Sequence, residues 1–178
     1  SVLCIYLLMN GSIVLPTVFS LYDIGFRKLL RRHQLVFGLW CVLSMLLGLV
    51  ALKVAMNTWW YMGLMTLSWA LVNTLVLWWL ILHTCEARFL QKGEKGRRDI
   101  QRHVERMFLL NTLLDVGYVL VGLLLLKKGR TMPALAELWN GFGLAVVIQG
   151  SFLCLQDSVF LLLHRANFKR QQQCFTKL

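Results

Sequence analysis

Asn111, Asp115 and Tyr118 stand four and three residues apart inside an apolar run over residues 107–126. At that spacing an amide, a carboxylic acid and a phenol share one face of a helix. Such a set can hydrogen-bond a polar ligand or handle a proton. An acid near the middle of a bilayer costs about 2.5 kcal/mol or more, so one found there is usually kept for a role. Of the chain's eight acidic residues, only Asp115 and Asp157 lie within apolar runs. Two carboxyls at similar depth with few cations around them would hold at least one proton between them. Asp115 and Asp157, with Asn73, Asn111, Tyr118 and Gln149 around them, form a candidate ligand-binding or proton site. The same groups also suit a structural role as interhelical hydrogen-bond links, each of modest worth.

The elements that would position these groups are membrane-spanning helices. The 178 residues are 58% hydrophobic and only 15% charged, with a mean hydropathy of +0.63, outside the balance of a soluble domain. An all-α integral membrane bundle of four or five transmembrane helices, in one domain, is expected. Residues 2–22, 35–52, 59–82, 107–126 and 141–163 are the candidate spans, each close to the roughly 20 residues that cross the hydrocarbon core. The first contains Asn10, Gly11 and Pro16 and reads as a kinked span, a re-entrant segment or an interfacial helix. It has no basic n-region of the kind a secretory signal carries.

Charge orients the bundle. Fifteen of the nineteen Lys and Arg residues fall on one side of these runs, leaving only Lys53, Lys127, Lys128 and Arg130 on the other. The positive-inside rule then places the C-terminus in the cytoplasm, with a bacterial cytoplasmic membrane as the expected location. The net charge of +11 sits between apolar runs, so it suits anionic lipid at the cytoplasmic face and not nucleic acid. Trp59, Trp60 and Trp139 would lie at the outer interface, and Trp40, Trp78 and Trp79 toward the inner one. Residues 23–34 read as a juxtamembrane charge cluster or as a basic amphipathic segment on the inner leaflet. The short connection 53–58 implies a hairpin, and residues 93–96 should break helix before 97–106 resumes it.

Three runs carry polar stripes at helical spacing. Trp69, Asn73 and His83 lie along the third run, Asn111, Asp115, Tyr118 and Gly122 along the fourth, and Gly143, Gly150, Cys154, Asp157 and His164 along the fifth, with Gln149 and Gln156 beside them. Such stripes turn toward the bundle interior. Counted at about 1.5 Å per residue, Asn73, Asn111, Asp115 and Asp157 fall at comparable depth in the cytoplasmic half. Gly122, Gly143 and Gly150 are spaced for close helix approach rather than for a phosphate loop. All four histidines lie at the cytoplasmic rim, and His83 and His164 are candidates for a metal or a b-type haem, although no HxxxH or HxxH pair occurs. Leu144 follows Gly141 and Gly143 where an intramembrane aspartyl protease motif would carry an acid, which argues against that activity. Five cysteines without a CxxC pair give no disulfide framework or zinc knuckle.

The strings WALVN at 69–73, NTLLDVGY at 111–118 and GFGLAVVIQGSFL at 141–153, with Asp157 beyond, resemble the signature positions of a family of small multi-span bacterial membrane proteins described only as a domain of unknown function. The resemblance covers roughly residues 35–164 and implies a compact helical bundle with polar interior residues; it implies no activity. The function expected from the residues is binding or moving a small or lipidic ligand in the cytoplasmic half, with a possible proton link. The alternatives are a structural or accessory subunit, with partner subunits or further copies of the chain against its stripes, and a membrane enzyme acting on lipid or quinone, or a haem carrier.

Overall fold

The computed structural model describes residues 14–53, 56–83 and 94–175. Helices α1 (Val14–Ala51), α2 (Thr58–His83), α3 (Glu94–Thr131) and α4 (Ala136–Phe175), with a 3-10 turn at Pro133–Leu135, account for nearly all of them, and no strand occurs among the described residues. Among the described residues, four helices are long and apolar enough to cross a membrane. Their outward faces carry Leu39, Leu46, Leu75, Leu113, Leu124 and Leu162, all largely exposed. Water would not tolerate apolar surface on that scale, whereas lipid solvates it.

Local chemistry fixes the turns at one end. Asn57 Oδ1 accepts from the backbone N–H groups of Trp59 (2.9 Å) and Trp60 (3.3 Å), capping α2 as it starts. At the second turn, Pro133 cannot continue the ladder, and Met132 N still donates to Lys128 O at 3.1 Å. We call this the hairpin end. There Lys128 Nζ lies 4.0 Å over the Trp139 ring, a cation–π contact.

The opposite end is basic and extends well beyond a bilayer's needs. Helices α1, α3 and α4 have 38, 38 and 40 residues, about 57–60 Å each at 1.5 Å per residue. The hydrocarbon core takes about 30 Å. Two expected boundaries are absent for this reason. Residues 23–34 are neither a loop nor a surface-lying segment but a continuation of the helix that contains 35–51. Likewise α3 starts at Glu94 and runs through Gly96 without a break. Candidate span 2–22 lies outside the described residues up to 13, and from Val14 onward it is the N-terminal arm of α1.

Helix α4 is the hub, packed along α3 and also against α2 and α1. Sequence explains that position: its buried residues include Gly141, Gly143, Ala145, Gly150, Gln156, Asp157 and His164, so small and polar groups mark the inward faces. Between α3 and α4 the backbones nearly touch. A Cβ on Gly122 would sit 3.0 Å from Gly143 O, and one on Gly143 would sit 2.9 Å from Gly122 O. Without a hydrophobic driving force between helices in lipid, this close packing supplies the cohesion.

Candidate functional site

The interior polarity is divided into three levels. The lowest lies in the basic extension. Arg97 and Asp23 form a two-point ion pair between α3 and α1, at 3.0 and 2.7 Å, with side chains 14% and 10% exposed. Tyr22 Oη donates to Gln101 Oε1 at 3.0 Å; Gln101 Nε2 in turn donates to Glu105 Oε1 (2.8 Å) and to the His164 carbonyl (3.2 Å). Arg165 Nε reaches Glu105 Oε2 at 3.3 Å. The His164 ring is completely buried, edge-on to Phe26 and stacked on Phe108, and neither ring nitrogen has a partner among the described residues.

One level up, His33 Nε2 and Asp157 Oδ1 share a hydrogen bond of 3.1 Å between α1 and α4. The imidazole is boxed in by Phe37, Phe108 and Phe160. Gln156 Nε2 donates to the His33 carbonyl at 3.4 Å, tying the same two helices a second time.

The third level, nearer mid-bundle, joins α2, α3 and α4. The Trp69 and Tyr118 rings meet edge to face at 4.8 Å. Within one turn of that contact, toward the basic end on each helix, stand Asn73 and Asp115, both buried at 5% exposure. Gly150 lets α4 close on this level, since a Cβ there would lie 3.2 Å from both Asp115 O and Tyr118 Cβ. Trp69 Nε1, Asn73 Nδ2 and Asp115 Oδ2 are all buried, and none has a hydrogen-bond partner among the described residues. Helical side chains lean toward their helix N-terminus. Asp115 on α3 therefore leans to the basic end and Asp157 on α4 leans away from it, each toward the other's level.

The six candidate residues divide into four situations. Asp157 and Gln149 are bonded across helices: Gln149 Oε1 accepts from Trp40 Nε1 at 2.8 Å and its Nε2 donates to Ser44 Oγ at 3.1 Å. Asn73 and Asp115 are buried with an unpaired atom each. Tyr118 is half-buried against Trp69. Asn111 corrects the expectation that the whole α3 stripe faces inward, because it is exposed. Along α3 the buried residues are Gln101, Phe108, Asp115, Gly122 and Gly129, a seven-residue repeat. Because α3 packs chiefly on α4 alone, its seam is too narrow to include Asn111.

Of the histidines proposed for metal or haem, the His83 side chain lies outside the described residues, and the His164 ring is buried with Phe108 stacked on it and Phe26 edge-on beside it. Among the described residues no group of three or more His, Cys, Asp or Glu is placed to hold a metal ion. Trp40, expected near the inner interface, is instead stacked on Phe152 at 3.8 Å and bonded to Gln149 within the bundle.

Sequence reading missed His33 and Gln101 as interior groups. The heptad from Gln101 to Gly129 was the available signal for Gln101. For His33 the spacing to Phe26 and Phe37, seven and four residues, would have placed it on the buried face of α1. The surrounding arginines made that stretch read as solvated.

Between the Asn73–Asp115 level and the hairpin end, the buried residues include Ser44, Gly48, Gly63, Thr66, Gly122, Gly143, Ala145 and Val146. No ionisable side chain is buried there among the described residues apart from Cys41 of α1. Among the described residues, the buried acids and histidines thus lie from the Asn73–Asp115 level toward the basic end.

The chain matches a family of unknown function, DUF6992, over residues 36–158 and belongs to it. No curated protein and no solved structure matches it. The matched segment contains all three glycine contacts of α4 and the Asn73–Asp115 level, and it ends one residue after Asp157.

Proposed function

We propose that this DUF6992 member is a multi-pass membrane protein that binds a small polar ligand, or the polar head of a lipidic one, in the half of its bundle facing the basic, cytoplasmic end. Asp115, Asn73 and Trp69 are the innermost contacts, with the His33–Asp157 pair beside the approach. The observation that carries this reading is the set of three unpaired polar atoms buried at one level on α2 and α3. A buried donor or acceptor left unmade costs about 1–3 kcal/mol, so three together call for a partner that a ligand or water can supply. A purely structural hydrogen-bond role suits Gln149, which has its bonds, better than Asp115 Oδ2, which has none. The run of ionisable groups from Asp115 through Asp157, His33 and His164 to Glu105 supports proton exchange with the same end. The closed, glycine-packed far half supports binding over passage.

Native mass spectrometry from mild detergent tests this. Wild-type protein should retain a small molecule, and the near-isosteric D115N should retain about tenfold less, the worth of one charge-assisted hydrogen bond, with its melting temperature unchanged. If D115N and D157N both kept the wild-type ligand load and stability, the reading would be wrong.

Asn111 favours a second reading, as a subunit of a larger assembly. Its amide is exposed between the exposed residues Leu110, Leu113 and Leu114, where lipid offers no hydrogen bond. A neighbouring helix in the membrane would supply one, worth about 0.6–1.7 kcal/mol. N111L is then expected to shed a co-purifying partner or second copy on native gels, and unchanged migration would remove the reason for this reading.

A further inference from the structure

Helix α1 has two opposed faces in its basic stretch. Tyr22, Asp23, Phe26, His33 and Phe37 are buried against α3 and α4. The other side carries Ile24, Arg27, Lys28, Arg31, Arg32 and Leu35, which recur at three- and four-residue steps as one helical face and line a hollow of about 430 Å³. That is far more room than the roughly 30 Å³ of one water. The described residues that line it include four cations from a single helix and no acidic side chain. Arg27 is steadied by donating to its own helix at the Asp23 carbonyl, 3.2 Å away. The only nearby carboxylate on α1, Asp23, is turned away into its ion pair with Arg97.

Depth identifies the occupant. Arg31 and Arg32 lie about 20 residues from the hairpin end of α1, roughly 30 Å along the helix, which is the thickness of the hydrocarbon core. Leu35, 64% exposed, lies about one turn to the hydrocarbon side of them. The hollow therefore starts at apolar depth and becomes cationic at headgroup depth. Arginine supplies planar two-point hydrogen bonding to phosphate oxygens, and each basic residue at an anionic surface contributes about 1 kcal/mol.

We propose that this face of α1 is a binding site for the headgroup of an anionic phospholipid, its phosphodiester held by Lys28 and Arg32 and its acyl chain lying along Leu35. The site is separate from the Asp115 level and stands or falls without it.

The full chain in mild detergent, titrated with phosphatidylglycerol or phosphatidylcholine and read by native mass spectrometry, tests it. Wild type should retain phosphatidylglycerol at least about fivefold over phosphatidylcholine, the effect of about 1 kcal/mol. The variant K28Q/R32Q should lose that preference, while K28R/R32K and the hairpin-end control K127Q/R130Q keep it; helicity by circular dichroism confirms that each is folded. Equal retention of the two lipids by wild type, or an unchanged preference in folded K28Q/R32Q, overturns the proposal. So does competition by millimolar inorganic phosphate that strips the lipid equally well, since the site would then serve a free anion.

Discussion

G143L should take the bundle apart while leaving its helices formed. A Cβ at Gly143 would lie 2.9 Å from both Gly122 O and Leu126 N and 2.8 Å from Leu126 Cγ. Two of those three neighbours are backbone, so no rotamer change relieves the clash and α3 must move as a unit. Extra methylenes in a packed core cost about 1–3 kcal/mol when side chains can adjust. Here the expected loss exceeds about 3 kcal/mol, because the α3–α4 seam is the most extensive helix contact among the described residues. Lipid continues to stabilise each separate helix. Circular dichroism should therefore stay helical while the unfolding midpoint in detergent drops sharply and the size-exclusion profile broadens. G143A, adding one carbon, should be intermediate. A wild-type midpoint for G143L would show that α3 and α4 are not held by this contact.

R97Q should give the second largest loss, about 3 kcal/mol, the lower end of what breaking a buried ion pair costs. Asp23 is only 8% exposed, and the substitution removes the guanidinium that satisfies both of its oxygens. Most of the penalty is the uncompensated carboxylate and not the lost attraction. D23N/R97Q should accordingly recover part of the stability that R97Q alone loses. A double-mutant cycle by chemical denaturation measures this directly; strictly additive losses would mean that the two residues act separately. The location gives the pair its consequence. Helices α1 and α3 share little backbone contact, and in the basic extension they are joined through Asp23–Arg97 and Tyr22–Gln101. On the proposed reading, loosening them would open the approach to His33, Asp157 and, beyond these, Asp115. R97Q is thus also a probe of whether access to the interior is gated at this end.

Both results depend on features that sequence reveals unequally. Gly122, Gly143 and Gly150 could be read as close-approach positions because small residues at helical spacing in an apolar run have few other uses in lipid. The partner of Arg97 could not be read, since fourteen other cations and several acids compete for pairing in the same basic segments. Local sequence carries a residue's face but not its neighbour's identity.

Hydropathy alone determined that the chain is a bundle of four or five long apolar helices, four of which stand among the described residues, because lipid demands some 20 apolar residues with every backbone group satisfied within the helix. The inward faces of α2 and α4 were equally legible at Asn73, Gly150, Asp157 and His164, where polar and small groups mark what avoids lipid. Tertiary structure decided the rest. It joined the juxtamembrane charges to the spans as continuous helices, since nothing in residues 23–34 breaks a helix and α3 and α4 give that stretch a surface to pack on. It narrowed the α3 stripe to one residue in seven, turning Asn111 out and leaving Asp115 in, because only one helix covers that side. It also paired His33 with Asp157, 124 residues away, a contact that no periodicity encodes because it depends on how α1 and α4 cross.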